Sequence, residues 1–243
     1  MLFFGGEKEK MKIIDAAIIM EEAMGLPLRD RTVPEIFEMC GACWVYSGKP
    51  GEPHALLASG RHSDAYFNVN LVTEFPNIRK ELAMRLVRAL DRFIVSGVDV
   101  VVSSTYAATT IGQAVADCLN AMFVFTEKDG QDQVWTGRFE IPSGAKVLQI
   151  EELITTLETT EKVKKAILEA GLDVEFINSK GKTIVGTIVH RPAKVPIDYE
   201  SHKVASLWER EVHSWTKRGC PICRKGSEAL KPKKNWNRFI GRI

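Results

Sequence analysis

The sequence predicts an α/β fold with a parallel central sheet. Two observations predict it. Short, largely β-branched runs recur along the middle of the chain: DVVVSS (99–104), MFVFT (122–126), KVLQI (146–150), DVEFI (173–177) and TIVGTIV (183–189). Helix-patterned segments separate several of them. That alternation is the mark of βαβ units, whose strands are buried on both faces.

The elements follow in order. MKIIDAAIIMEEAM (11–24) has helical apolar spacing and ends at Gly-Leu-Pro. Asp30 or Thr32 caps a second helix, with Pro34 in its first turn, running through IFEM. The Pro/Gly-rich stretch 46–55 is a connection. After Pro76, Asn77 caps a long helix whose apolar face is Ile78, Leu82, Leu86, Leu90, Phe93 and Ile94. A helix over 109–121 carries Ile111, Val115, Cys118 and Met122 on one side. A polar, glycine-containing stretch (127–144) precedes the third strand run. A helix over 159–170 ends at Gly171. The organisation is thus an N-terminal helical region (1–55), an α/β core (56–192) and an irregular C-terminal extension (193–243).

Composition excludes little. The chain has 243 residues, 45% hydrophobic and 26% charged, with a net charge of +2. This is a globular mixture with no global bias toward nucleic acid. Charge is uneven, however. From Lys217 onward the only acid is Glu228. Such a tail is either a solvated segment or a site for an anionic ligand, and nucleic acid stays open as its partner. No apolar run approaches the ~18–20 residues that span a bilayer. MLFFGG is too short for a signal core and runs straight into charged EKEK. A cytoplasmic protein is expected, with its five cysteines reduced unless they hold a metal.

In parallel sheets, ligands bind at the carboxyl ends of strands, near helix starts. Three segments qualify. SSTYAAT (103–109) has small residues that let backbone N–H groups approach an anion, or that serve tight helix–sheet packing. VLQIEELITTLETTEKV (147–163) places Glu151 and Glu152 at a strand end. Thr155, Thr156, Thr159 and Thr160 follow at a helix start. Adjacent carboxylates suit ribose hydroxyls; the alternative is a capping arrangement around the helix dipole. ASGRHSDAYFNVN (58–70) offers Arg61 for a phosphate or carboxylate and Tyr66 and Phe67 for a planar base.

Together these segments resemble the type I phosphoribosyltransferases, within them the orotate phosphoribosyltransferase-like group. SGRHSDAYFN and GRFEIPSGAKVLQIEELITT carry the resemblance, which covers roughly residues 40–190. It implies a Rossmann-like parallel core with a helical N-terminal hood region. It also implies transfer of phosphoribose from phosphoribosyl pyrophosphate (PRPP) with Mg²⁺ to a nitrogenous base, releasing pyrophosphate. In that reading Glu151 and Glu152 take the ribose hydroxyls. Thr155, Thr156 and Thr159 line the 5′-phosphate site, and Ala107 and Ala108 occupy the pyrophosphate loop. Lys128 is the hood lysine, and Arg61, Tyr66 and Phe67 border the base. A homodimer is implied, because hood lysines in this group often act across an interface. The chain departs from the family pattern where Leu157 and Glu158 replace two glycines, where alanines replace the pyrophosphate-loop glycines, and where Ala58 replaces a lysine. A carboxylate at 158 repels a phosphate unless it points away. The second reading is therefore a non-catalytic nucleotide- or PRPP-binding regulator.

Two C-x-x-C pairs remain, Cys40/Cys43 and Cys220/Cys223. They make a candidate tetrahedral zinc site that clips the tail to the N-terminal region. Unpaired thiols and a redox pair are the alternatives.

Overall fold

The structure, a computed structural model, describes residues 27–94 and 97–241. The helix expected over 11–24 lies outside them. The central sheet is built on β9 (Ala145–Ile154), a strand longer than its apolar run suggests. β5 (Val100–Ser103) pairs with β9 on one side and β12 (Lys182–His190) on the other, all parallel. β6 (Met122–Phe125) extends the sheet beyond β5, and β10 (Val174–Phe176) pairs with β9. The short β11 (Asn178–Ser179) pairs antiparallel with β12.

β13 (His202–Glu209) pairs parallel with β12 over most of its length. The sheet therefore continues past residue 192, and the extension supplies a strand to the core. Its burial is uneven, so no continuous apolar run marks it in the sequence.

The helices pack where their apolar stripes require. α1 (Val33–Met39) begins at Thr32, whose hydroxyl accepts from the Glu35 amide while the Glu35 carboxylate accepts from the Thr32 amide, a full capping box. α2 (Pro76–Leu90) starts with Pro76 in its first turn and Phe75 as the flanking residue, so Asn77 is inside the helix and is not its cap. Ile78, Leu82, Leu86 and Leu90 are buried as expected, while Phe93 and Ile94 pack on the edge of the same core. Each fully buried side chain of this kind contributes about 1.5–3 kcal/mol. α3 (Ala107–Leu119) buries Ala108, Ile111, Gly112, Val115 and Ala116. Cys118 and Met122 are exposed, because the small residues at 108, 112 and 116 form the packing stripe instead. A Cβ on Gly112 would lie 2.6 Å from the Phe123 ring, so only glycine permits this approach of α3 to the sheet. α4 is Glu158–Glu169, and Gly171 beyond it takes φ 74°.

Residues 43–67 form small strands, not helices. β1 (Cys43–Val45) pairs with β4 (Ala65–Phe67). β2 (His54–Leu56) pairs with β3 (His62–Ser63). The tail completes this second sheet, through β14 (Ser214–Trp215) on β3 and β15 (Ala229–Leu230) on β2. It ends in α5 (Pro232–Phe239). The polar stretch after β6 holds a hairpin, β7 (Glu127–Asp129) with β8 (Asp132–Val134). No helix among the described residues is long and apolar enough to cross a membrane.

Candidate active site

β5, β9 and β12 run parallel, so their carboxyl ends lie on one edge of the sheet. Two adjoining clefts open there. The larger, about 1010 Å³, is lined by Arg61, Tyr66, Thr155, Thr156, Glu158 and Arg191, and by Lys231, Lys233 and Lys234 from the tail. The smaller, about 200 Å³, is lined by Tyr66, Phe67, Ala107, Glu152, Arg191 and Lys233 among others. Tyr66, Arg191 and Lys233 belong to both. Five cations face two acids, Glu152 and Glu158, so the clefts favour an anion.

Arg191 follows β12 directly. Its Nε is buried without a hydrogen-bond partner, and burial pulls the guanidinium below its ordinary value. A guanidinium N–H buried without a partner is costly, and an anionic ligand relieves that cost. Tyr66 stands beside it, its phenol pushed up by burial and drawn down by Arg191. Trp236 of α5 crosses the Tyr66 ring edge-on at 5.6 Å and donates its Nε1–H to the Gly41 carbonyl at 2.8 Å. The tail is thereby held over the cleft.

The paired acids separate. Glu151 is buried and accepts from Ser104 Oγ at 2.6 Å, from the Ser104 amide at 3.3 Å and from Gln149 Nε2 at 3.3 Å. Burial, then the charge of Glu152, pushes its carboxyl up to about 8. Glu152 turns to the cleft. Burial raises its carboxyl and nearby Lys233 lowers it.

The threonine turn leads into α4 with no side chain capping the helix start. The first turn, next in sequence to Thr155 and Thr156, therefore has amides without an intrahelical partner. Leu157 is buried with φ −80°, a conformation that needs no glycine. Glu158 pairs with Lys162 at 2.9 Å, and Lys162 also reaches Asp132 at 3.4 Å. Its charge at the cleft edge is partly neutralised.

Other expected residues have different surroundings. Arg61 donates to Ser214 Oγ at 2.9 Å and to the Ser214 carbonyl at 2.5 Å, so its fork is already engaged within the chain. Phe67 lines the smaller cleft but is buried, packing edge-on against Trp208 at 5.0 Å and Phe37 at 6.3 Å. Ala107 lines the smaller cleft, whereas Ala108 is fully buried on the packed face of α3. Thr159 is exposed, and it lines neither of these clefts. Lys128 is exposed on β7 and likewise lines neither.

The cysteines do not converge as four. Cys220 and Cys223 meet His54 and His62, with the ligating atoms of all four within 4.8 Å of one another. Cys40 and Cys43 pack against the main core instead, and burial pushes each thiol up to about 11. CGAC is the stop of α1. Gly41 is left-handed at φ 57°, its amide donates to the Glu38 carbonyl, and the Ala42 amide donates to the Phe37 carbonyl. These bonds make a Schellman turn, a helix end that accounts for the glycine without a metal.

Sequence reasoning missed Arg191 and His54, read Lys233 and Trp236 only as part of a basic, Trp-containing tail, and read His62 only within the SGRHS segment. The HRP string after the last predicted strand and the KPKKNW tail were the available signals for Arg191, Lys233 and Trp236.

No family model matches the chain. Curated relatives include the orotate phosphoribosyltransferase of Pelotomaculum thermopropionicum, 30% identical over 204 residues, spanning 84% of this chain and 96% of the relative. That of Thermoanaerobacter sp. is 30% identical over 186 residues, spanning 74% and 87%. Among solved structures, orotate phosphoribosyltransferase from Aeropyrum pernix matches with a TM-score of 0.53 over 73% of this chain and 94% of that one, at 14% identity, a likeness of fold.

Proposed function

Because this chain belongs to the orotate phosphoribosyltransferase family, we propose that it transfers phosphoribose from PRPP to orotate and releases pyrophosphate. The carrying observation is the cationic double cleft at the sheet edge, with Arg191 Nε buried and unpaired in its wall. In this reading the α4 start, with Thr155 and Thr156, receives the 5′-phosphate. Arg191 and the tail lysines receive further anionic oxygens, whether of pyrophosphate or of the base carboxylate. Tyr66 borders the base. Glu152 faces the ribose and the positive charge that develops on it as the C1–O bond to pyrophosphate breaks and the C1–N bond forms. Glu151 acts through its bond to Ser104, holding the loop before α3.

Mg²⁺ accompanies PRPP, held largely by the substrate's own oxygens. The cleft-facing carboxylate of Glu152 suits such a complex, whereas Glu151 is committed to Ser104. We further propose a homodimer, in which exposed Lys128 serves the cleft of a second copy. A cytoplasmic enzyme of pyrimidine nucleotide metabolism is part of the same proposal, and the orotate phosphoribosyltransferase relatives support the metabolic role.

The test is calorimetric titration with PRPP-Mg and with orotate, joined to detection of the nucleotide and pyrophosphate. Turnover supports the proposal; absence of PRPP binding sinks it. Glu158 at the cleft edge favours the second reading, a regulator that binds PRPP or a nucleotide without reaction. Tight binding with no product for any base selects that reading, and a salt-dependent shift with RNA or DNA would add nucleic acid to it.

A further inference from the structure

We propose that His54, His62, Cys220 and Cys223 form a structural zinc site that staples the C-terminal tail to the β2–β3 hairpin. The four come from two places far apart in sequence. His54 and His62 are on adjacent antiparallel strands; Cys220 caps the helical turn Pro221–Arg224 and Cys223 lies within it. His54 Nε2 lies 2.8 Å from His62 Nδ1. Cys223 Sγ lies 3.4 Å from the first and 3.2 Å from the second, and Cys220 Sγ lies 3.6 Å from His54 Nε2. Zinc bonds of ~2.0 Å to nitrogen and ~2.3 Å to sulfur place tetrahedral ligand atoms roughly 3.3–3.8 Å apart. The group is near that size, and three of its members are buried.

Surrounding contacts orient the ligands. Ser227 Oγ donates its one proton to the Glu52 carbonyl at 2.6 Å, so it accepts from His54 Nδ1–H at 3.0 Å. That fixes the tautomer and leaves the His54 Nε2 lone pair facing the group, as an outer-shell partner does for a metal-bound histidine. The Cys223 amide donates to Cys220 Sγ at 3.4 Å, which holds that sulfur toward the group. Two imidazole nitrogens and two sulfurs converge on one largely buried point. That donor set suits a divalent, borderline-soft cation.

The site has a consequence for the cleft that rests on the proposed function. β15 and α5 follow the cysteines directly, so the staple fixes Lys231, Lys233 and Lys234 in the cleft wall. Metal loss should release them without dismantling the parallel sheet.

The experiment measures metal in the full chain expressed with zinc. About one equivalent per chain is expected, with a first coordination shell of two nitrogens and two sulfurs by X-ray absorption. Cobalt substitution should give tetrahedral thiolate bands. Cys220→Ser, Cys223→Ser, His54→Ala and His62→Ala each lose the metal; Cys40→Ser and Cys43→Ser keep it. Chelation should make the chain after Thr216 sensitive to trypsin while the core resists. A metal-free protein after zinc-replete expression, a Cys220–Cys223 disulfide in its place, or a shell of four sulfurs would overturn the proposal. If a variant does not fold, the wild-type absorption and cobalt spectra still decide. Metal content is read without PRPP, so failure here is distinct from failure of the transferase reading.

Discussion

Glu151 and Glu152 are sequence neighbours on β9 with opposite environments. The pleat sends successive side chains to opposite faces. Glu151 therefore meets Ser104 in the interior, and Glu152 faces the cleft, where the Lys233 charge reaches it. One carboxyl organises the loop before α3 while the other is free for ligand.

Glu151 gives a pH signature. Its carboxyl, near 4.5 in an open chain, is raised to about 8 in the fold, by burial first and Glu152 second. The folded state holds the proton more tightly than the unfolded one. Its contribution is complete below about 4.5 and is lost as pH rises through 8. The slope is at most ~1.4 kcal/mol per pH unit. Glu151→Gln should flatten the fall in urea midpoint between pH 5 and pH 8. An unchanged slope in the variant would contradict the assignment.

Arg191→Met should separate binding from stability. Among the described residues it makes no ion pair, and a half-buried charge is removed, so the melting temperature should hold or rise. Affinity for PRPP-Mg should fall on the order of 10- to 100-fold, the worth of charge-assisted hydrogen bonds. Calorimetry and a thermal melt read both. A destabilised variant with normal affinity would place Arg191 in the scaffold.

Glu158→Gln tests the replaced glycine. The carboxylate stands at the cleft edge, shared with Lys162. Removing its charge should tighten inorganic phosphate and PRPP by up to about fivefold, the scale of a solvated charge pair near contact. Weaker binding would mean that Glu158 contributes a ligand or a necessary brace.

Trp236→Phe keeps a ring against Tyr66 and deletes the bond to the Gly41 carbonyl. Stability should drop by about 1 kcal/mol. Protease sensitivity of the tail should rise more than that of the sheet. Equal loss in both would show that the tail and the sheet unfold as one unit.

Much of this molecule was legible in the chain itself. Periodicity predicted β5, β6, β9, β10 and β12 and the helices between them, because strands buried on both faces and amphipathic helices leave local patterns. The Thr32–Glu35 box and the α2 stripe were readable for the same reason. β13 was not, since its buried positions follow neither a strict alternation nor a continuous apolar run.

The sequence by itself determined the α/β class, the threonine turn beside paired acids, and the family motifs at 59–68 and 137–156. Tertiary structure decided which residues share a site. It separated Glu151 from Glu152, buried Phe67, tied Arg61 to Ser214, brought Arg191 and the tail lysines to the cleft, and gave Cys220 and Cys223 histidine partners in place of Cys40 and Cys43. The reason is physical. Local patterns record what a residue does within its own element, whereas convergence at a site depends on strand pairing across 150 residues or more, as between β3 and β14, which no local pattern encodes.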